Sequence, residues 1–506
     1  MKLSADFDAL EFLYLSNNRT LEELDLSGSF PKLKYLYISS CGLSKLELKE
    51  DFPALVSILA NDNQLKEAPE VGKGTLLVLE NLDLRGNQIS MIEAGFLNPF
   101  PALLDLRITQ NPLSEAILSN LGKSPSEDRN FIERYTLELL QANELDNECK
   151  VLLIGNGKVG KSCLVERLVS NRFEPEWKST HGIVLEQYPK PPKKNPLLEP
   201  YILNLWDFGG QDIYHATHRL FMQAGAVYLV LWDLDTEEKP STPSEESGEL
   251  RHYDNYPLSY WLSYAKALGK DSPIIIVQTK AGSDGKNAKA LPDIKTGFQP
   301  LAFHAIESKI DDGYENGYNQ LLLSIRRGVE KVKTKQKIPS SWANVRKQIR
   351  QWQMDSQKRL SLVDFFDLVK KEDYEAPLDI LNWLTQSGVF FYQKDLFNNE
   401  IILDQEWAID AVYTLFERNV FYYKAEKKKG AFSGEDLTKV WKDNREAERE
   451  LFVSFMLTCE MCFETTAKDK EHYHAPFQER NFVMPQLLPA EKPNEVEDYW
   501  DDREAL

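Results

Sequence analysis

The sequence predicts a multidomain chain: a solenoid of short repeats, then an α/β domain on a mainly parallel sheet with a phosphate-binding loop, then an α+β domain. Three observations predict it. An apolar template recurs at near-constant spacing up to Leu113, six apolar runs alternate with helical stretches from Lys150 to about Val332, and from about Ile338 the text turns to helices with few strands. With 506 residues, 42% apolar and 27% charged, the chain has material for several cores and about three domains at roughly 150 residues each.

In the first third, the template LxxLxLxxNxL fits Leu33-Leu36-Ile38-Cys41-Leu43, Leu55-Ile58-Ala60-Asn63-Leu65, Leu79-Leu82-Leu84-Asn87-Ile89 and Leu103-Leu106-Ile108-Asn111-Leu113. The steps are 22, 24 and 24 residues, inside the roughly 20–29 of leucine-rich repeats. Shorter, less regular turns start at Leu10 and Leu21. Each unit buries its leucines only against its neighbours, and the asparagines satisfy backbone groups inside the stack. The leucine spacing of three then two places a strand in each unit and rules out amphipathic helices. The expected product, residues 1–125, is a curved leucine-rich-repeat solenoid with an open concave face for a protein partner. No polar capping segment precedes the first repeat, so the chain is expected to be a fragment at this end.

Residues 126–149 read as a helical cap and linker, with Phe131, Ile132, Tyr135, Leu137, Leu139 and Leu140 as the apolar side and acids early in the run. The α/β domain, 150–333, takes its strands from VLLIG, IVLEQY, YILNLWDF, AVYLVLWD, PIIIVQTK and LAFHAI. PKPPKKNPLLEP reads as a stiff hairpin tip and EEKPSTPSEESGEL as a polar, mobile loop. The third domain, 338–506, carries helices and the strand-like runs VFFYQKD and EIILDQ.

Net charge is −19, from 60 Lys and Arg against 79 Asp and Glu. Such a field repels nucleic acid and anionic lipid, and the basic run KAEKKKG reads as a solvated loop. MKLSADFDAL lacks the pattern of a signal peptide, and no stretch approaches a membrane span. Five cysteines make no disulfide framework, so cytoplasm is the expected compartment. Cys459 and Cys462 form a CxxC without the two further ligands that zinc requires.

The sharpest motif is Gly155-Asn156-Gly157-Lys158-Val159-Gly160-Lys161-Ser162, a GxxxxGKS between the strand VLLI and a helix beginning at Cys163. A phosphate loop needs that context, because the helix N-terminus aims its free N–H groups and its dipole at the ligand. Gly155 and Gly160 let the backbone wrap, Lys161 neutralises β/γ oxygens, and the Ser162 hydroxyl suits Mg²⁺. Further parts follow in order: Thr180 in STHG for the metal, Asp207 to hold Mg²⁺ through water, Gly210 to offer an amide to a γ-phosphate, and Gln211 to orient the attacking water. Asp207-Phe208-Gly209 is no kinase DFG, since neither HRDxxxxN nor VAIK accompanies it. His181, His215 and His218 are read as packing residues.

The order matches a GTPase of the Ras type, and the whole chain resembles the Roco family: leucine-rich repeats, a Roc GTPase domain with DFGGQ followed by HATHRLF, then a COR domain. SGVFFYQ, IILDQEWAIDAVYTLF and FVMPQLLPAEKP resemble the helical and winged-helix first half of COR. The resemblance implies binding of GTP and GDP with Mg²⁺, slow hydrolysis, and regulation by homodimerisation through Roc–COR. It implies that Thr279-Lys280, in place of the first half of NKxD, and Ser308-Lys309, in Glu307-Ser308-Lys309, face the base.

Three departures stand against the family pattern. Gly282 occupies the place of the NKxD aspartate, the next acid being Asp284, which weakens the expected selection of guanine over adenine. Met222-Gln223-Ala224-Gly225 stands where some bacterial relatives carry an arginine, so turnover is expected to be slow without a finger worth about 10³–10⁵ in rate. The chain also stops soon after LLPAEKP, within COR, which is expected to weaken dimerisation. The competing reading is a scaffold that recruits proteins through its repeats and holds nucleotide without consequential hydrolysis.

Overall fold

The computed structural model describes residues 1–72, 76–140, 144–173, 182–190, 195–209, 222, 225–246, 249–282, 288–289, 300–309, 315–333, 337–415, 420–465 and 476–488. In the N-terminal region the chain lays down two parallel sheets by turns. One contains Phe12–Tyr14, Tyr35–Tyr37, Ser57–Leu59, Asn81–Asp83 and Asp105–Arg107 in that order, the other Lys2–Leu3, Asp25–Leu26, Glu47–Leu48 and Glu70–Val71. The register pairs Leu13 with Leu36, then Ile58, Leu82 and Leu106, so one apolar residue per strand stacks inward. Asn63 donates to the carbonyls of Ile38 (2.8 Å) and Ala60 (3.0 Å), and its Oδ1 accepts from the N–H groups of Cys41 and Leu43 at 3.0 Å each. Asn87 and Asn111 repeat the arrangement, each bonding the preceding turn and its own. Each such buried bond stabilises by about 0.5–1.5 kcal/mol net, and an unpaired turn amide in this interior would cost more.

The helix Pro125–Leu139 starts at Ser124, whose hydroxyl accepts from Glu127 N–H, with proline in its first turn. Phe131, Ile132, Tyr135 and Leu139 are buried, but Leu137 and Leu140 are 63% and 73% exposed, correcting the apolar side expected from sequence. At 100° per residue Leu137 stands about 200° round from Tyr135, on the opposite face. The helix does not end the core. Tyr135 meets Trp342 edge-on at 5.6 Å, Trp342 packs on Trp383 at 5.3 Å, and the apolar core runs on through Ile349, Phe365, Ile380 and Leu403.

The central sheet has six strands in the order Ile183–Tyr188, Ile202–Phe208, Glu148–Ile154, Val227–Trp232, Ile274–Gln278, Ala302–Ala305. Only the first pair is antiparallel, joined across the expected hairpin. Alternation gives the sheet two distinct faces. Val151, Leu153, Leu203, Leu205, Leu229 and Val277 pack against the helices Lys161–Ser170 and Glu315–Lys333. Leu152, Ile154, Trp206, Phe208, Val230 and Ile276 face the helix Leu258–Gly269 and side chains from beyond residue 390. The Pro- and Ser-rich stretch expected to be a mobile loop instead forms a separate antiparallel hairpin, Ser241–Glu246 with Glu249–Asp254, its base tied by Asn255 to Thr242 and the Lys239 carbonyl.

The C-terminal segment is divided between two cores. Helices Ser340–Met354, Leu362–Lys371 and Pro377–Gln386 join the N-terminal core, whereas Gln405–Tyr413 and Glu446–Thr458 join the second face of the central sheet. VFFYQKD is not the strand expected: only Phe391 makes a bridge, to Ile402, while Ile401–Ile402 pairs with Arg359–Leu360. Between the cores lies a buried polar junction. Lys333 Nζ donates to Asp146 (3.0 Å) and Ser387 Oγ (3.2 Å), Asn204 donates to the Ser387 carbonyl (2.8 Å), and Glu148 pairs with Arg346 and Arg350. No helix among the described residues is long and apolar enough to cross a membrane.

Candidate functional site

The strand Glu148–Ile154 is buried along its whole length and leads straight into the glycine-rich loop. Gly155 has φ +144°, and a Cβ there would lie 2.2 Å from the Leu231 carbonyl oxygen, so only glycine lets the chain leave the sheet at this point. Lys158 (φ +62°) and Gly160 (φ +93°) complete the wrap, and the helix Lys161–Ser170 begins at once. Gly157 is half-buried, Val159 fully buried and Lys158 exposed. Lys161 folds back over the loop and donates to the carbonyls of Gly155 (2.9 Å) and Asn156 (2.7 Å). Burial pulls its ammonium down to about 8, against the opposing pull of Asp207 and Asp233. This is a cation concentrated on a curl of main-chain amides at a helix N-terminus, an arrangement suited to a polyphosphate.

Asp207 belongs to the same sheet face as this helix, and Ser162 Oγ donates to its carboxylate. A serine hydroxyl and a carboxylate in contact are hard oxygen donors that fit Mg²⁺. Cys163, next on the helix, is partly buried and its thiol is pushed up, chiefly by burial and then by Asp207. Thr279 Oγ1 donates to the Val159 carbonyl, tying the TKAG loop to the phosphate loop. Lys280 pairs with buried Asp233, which also caps the helix Leu234–Glu238 through Thr236. Ser308 is buried, and Lys309 and Glu307 both offer their carbonyls to Arg167 of the loop's own helix, at 2.8 and 2.6 Å. Ala281 N–H reaches the Ile306 carbonyl (3.1 Å), so the two loops expected at a base lie side by side. Thr180, Gly210, Gln211 and Asp284 fall outside the described residues.

The side chain of Asn156 has a task of its own beside its place in the loop. Its Oδ1 accepts from Tyr256 N–H and Trp261 Nε1, both at 2.9 Å, and its Nδ2 donates to the Tyr256 carbonyl at 2.8 Å. Its side chain therefore anchors the loop to the helix Leu258–Gly269, leaving only its main chain for a phosphate. Arg167 and Asp233 were missed from sequence. Asp233 had a signal, the Asp-x-x-Thr capping pattern after a strand, whereas Arg167 looks like any exposed helical arginine.

Residues 150–282 match the model of Roc, the Ras of Complex domain of DAPkinase, and residues 339–488 match COR-A, the C-terminal of Roc domain. The chain belongs to the Roco family. It is 26% identical to a Roc-COR-CHAT protease of an unknown prokaryotic organism, over 96% of the chain and 42% of the relative. It is 24% identical to a Roc-COR-CHAT protease of Runella zeae, over 97% and 56% respectively. The chain thus spans about half the length of these relatives. A RocCOR structure of Methanosarcina barkeri Roco2, bound to GDP, shares the fold with a TM-score of 0.50 and 23% identity, covering 69% of this chain and 98% of that one. Roc and COR therefore name the two halves that meet at the second sheet face.

Proposed function

We propose that this chain is a Mg²⁺-dependent GTPase switch that binds GTP and hydrolyses it slowly to GDP, coupled through COR to a partner-binding repeat region. The observation that carries the reading is the contact between Ser162 and Asp207 beneath the Gly155–Gly160 wrap with Lys161 folded over it. The GDP carried by the Methanosarcina relative supports guanine nucleotide as the ligand class. In this reading the amides of Gly155 to Cys163 cradle the phosphates, and Lys161 exchanges its two loop carbonyls for β/γ oxygens. Ser162, Thr180 and Asp207 would hold Mg²⁺, which when bound neutralises charge between the terminal phosphates. Gly210 would meet the γ-phosphate and Gln211 orient water, while Thr279, Lys280, Ser308 and Lys309 frame the base.

Residues 1–125 are read as the leucine-rich-repeat solenoid, supported by the parallel registers and the Asn63, Asn87 and Asn111 ladder. Residues 126–149 are read as its link to Roc (150–333), with COR from 338. A protein partner on the repeat face, a Roc–COR homodimer and a cytoplasmic setting belong to the same proposal. Phosphate release under single-turnover conditions tests hydrolysis: Gln211→Leu is expected to slow it, and an unchanged rate removes Gln211 from the mechanism. The scaffold reading keeps one point in its favour, that Gly282 offers no carboxylate to the base.

A further inference from the structure

We infer that Tyr413 of COR is a positioning residue for the nucleotide switch, acting by pressing the Roc backbone at Gly182 onto Gly209. The inference rests on the reading of the Roc loop as a guanine-nucleotide site. Gly182 has φ +77°, and a Cβ there would lie 2.3 Å from Cδ2 and 2.7 Å from Cγ of Tyr413. The tyrosine ring is thus laid directly on a bare α-carbon, where both the backbone conformation and the lack of room demand glycine. Tyr413 is buried at the end of the helix Gln405–Tyr413, whose Ala408, Ile409 and Val412 join Ile183, Trp206 and Phe208 in one core. On Gly182 itself, the carbonyl accepts the Gly209 N–H at 2.6 Å. Two stretches of Roc backbone therefore meet under a single COR ring.

Their places in the chain give the contact its consequence. Gly182 lies two residues after Thr180, and Gly209 lies two residues after Asp207 and one before Gly210. A peptide unit is planar, so the direction of the Gly210 N–H is set by the torsions at Gly209. With the Gly209 N–H held by Gly182, and Gly182 held by the ring, the setting of both stretches is linked to the docking of a COR helix. A ligand that prefers one setting over the other must feel the ring, and by linkage the ring must change its affinity relative to a ligand with the opposite preference.

The test uses the 506-residue chain and two ligands, GDP and a non-hydrolysable GTP analogue, both with Mg²⁺. Tyr413→Ala is expected to change the ratio of the two dissociation constants by at least about fivefold, the lower end of ordinary site-to-site coupling, and to speed GDP release. Tyr413→Phe keeps the ring on Gly182 and is expected to keep the parental ratio. Met456→Ala, which opens a cavity in the buried COR core, is expected to lower the thermal midpoint while leaving the ratio alone. Should Tyr413→Ala not fold, Tyr413→Leu, which keeps bulk but loses the flat ring, is expected to shift the ratio in the same direction. A parental ratio and release rate in Tyr413→Ala or its Leu substitute, or a Phe variant that behaves like Ala, overturns the inference while the parent's own binding leaves the nucleotide reading standing. A parent that binds neither ligand removes that reading, and the inference falls with it.

Discussion

The two faces of the central sheet are covered by different means. The face of Val151, Leu153 and Leu205 is closed by helices of Roc's own sequence, and it carries Asp207 beside Ser162. The opposite face of Leu152, Trp206 and Phe208 is closed largely by COR, and its strands begin with the polar residues Glu148, Lys150 and Asn204. Each face also has a buried lysine of its own, apart from Lys333 in the junction between the cores. Lys161 is held near 8 by burial beside two aspartates, ready to gain a phosphate partner. Lys150 is pulled by burial to about 7, its ammonium 3.8 Å above the Trp206 ring and its stem against Gly388 of COR. One face is thus built to receive a ligand, and the other to receive a neighbouring domain.

Breaking the polar junction between the cores at its buried Asp146–Lys333 pair should have the largest effect. Asp146→Asn leaves the Lys333 ammonium in an interior where both side chains are almost wholly enclosed, and the expected loss is roughly 3–5 kcal/mol in denaturant unfolding. On the ligand side, Lys161→Ala is expected to abolish measurable nucleotide binding, a loss of about 2–5 kcal/mol or more by calorimetry, without a comparable loss of fold stability. Away from both faces, Asn87→Ala removes bonds to Ala60, Leu84 and Leu65, at about 1–3 kcal/mol, and should lower the unfolding midpoint while sparing nucleotide affinity.

The smallest effects, taken per pH unit, are those of pH, and the two lysines give them separate readouts. Above about pH 8 free Lys161 loses its proton, whereas a bound phosphate holds it on; binding must then take up a proton, so affinity falls as pH rises. Lys150 titrates near 7 in the fold but at its ordinary value of 10.5 when unfolded. The unfolded chain therefore binds more protons between these values, and stability contributed by this site rises with pH across that window, by at most about 1.4 kcal/mol per pH unit. Lys150→Met should flatten that slope in denaturant titrations from pH 7 to 9.

The ligand face was far more legible in the sequence than the COR face. GxxxxGKS announces its own geometry, because a buried strand, two glycines and a helix start are all written within one short stretch. The six strand runs likewise declare themselves as mostly apolar stretches set between helical ones. In contrast, Glu148 and Lys150 were readable only as charges entering a buried strand, and nothing local states that Arg346, Arg350 and Gly388, some 200 residues on, complete them. The hairpin at 241–254 escaped for a related reason: its composition is that of a loop, and its order comes from cross-strand pairing. Leu137 and Leu140 were assigned to the core by composition where helical phase placed them in solvent.

The central claim is that the curl between Gly155 and Ser162 holds a guanine nucleotide. Calorimetric titration of the chain with GDP, GTP, ADP and ATP in the presence of Mg²⁺ tests it most directly. The account predicts saturable binding of GDP and GTP with the adenine nucleotides clearly weaker; adenine binding as tight as guanine, or no binding of any of the four, contradicts it.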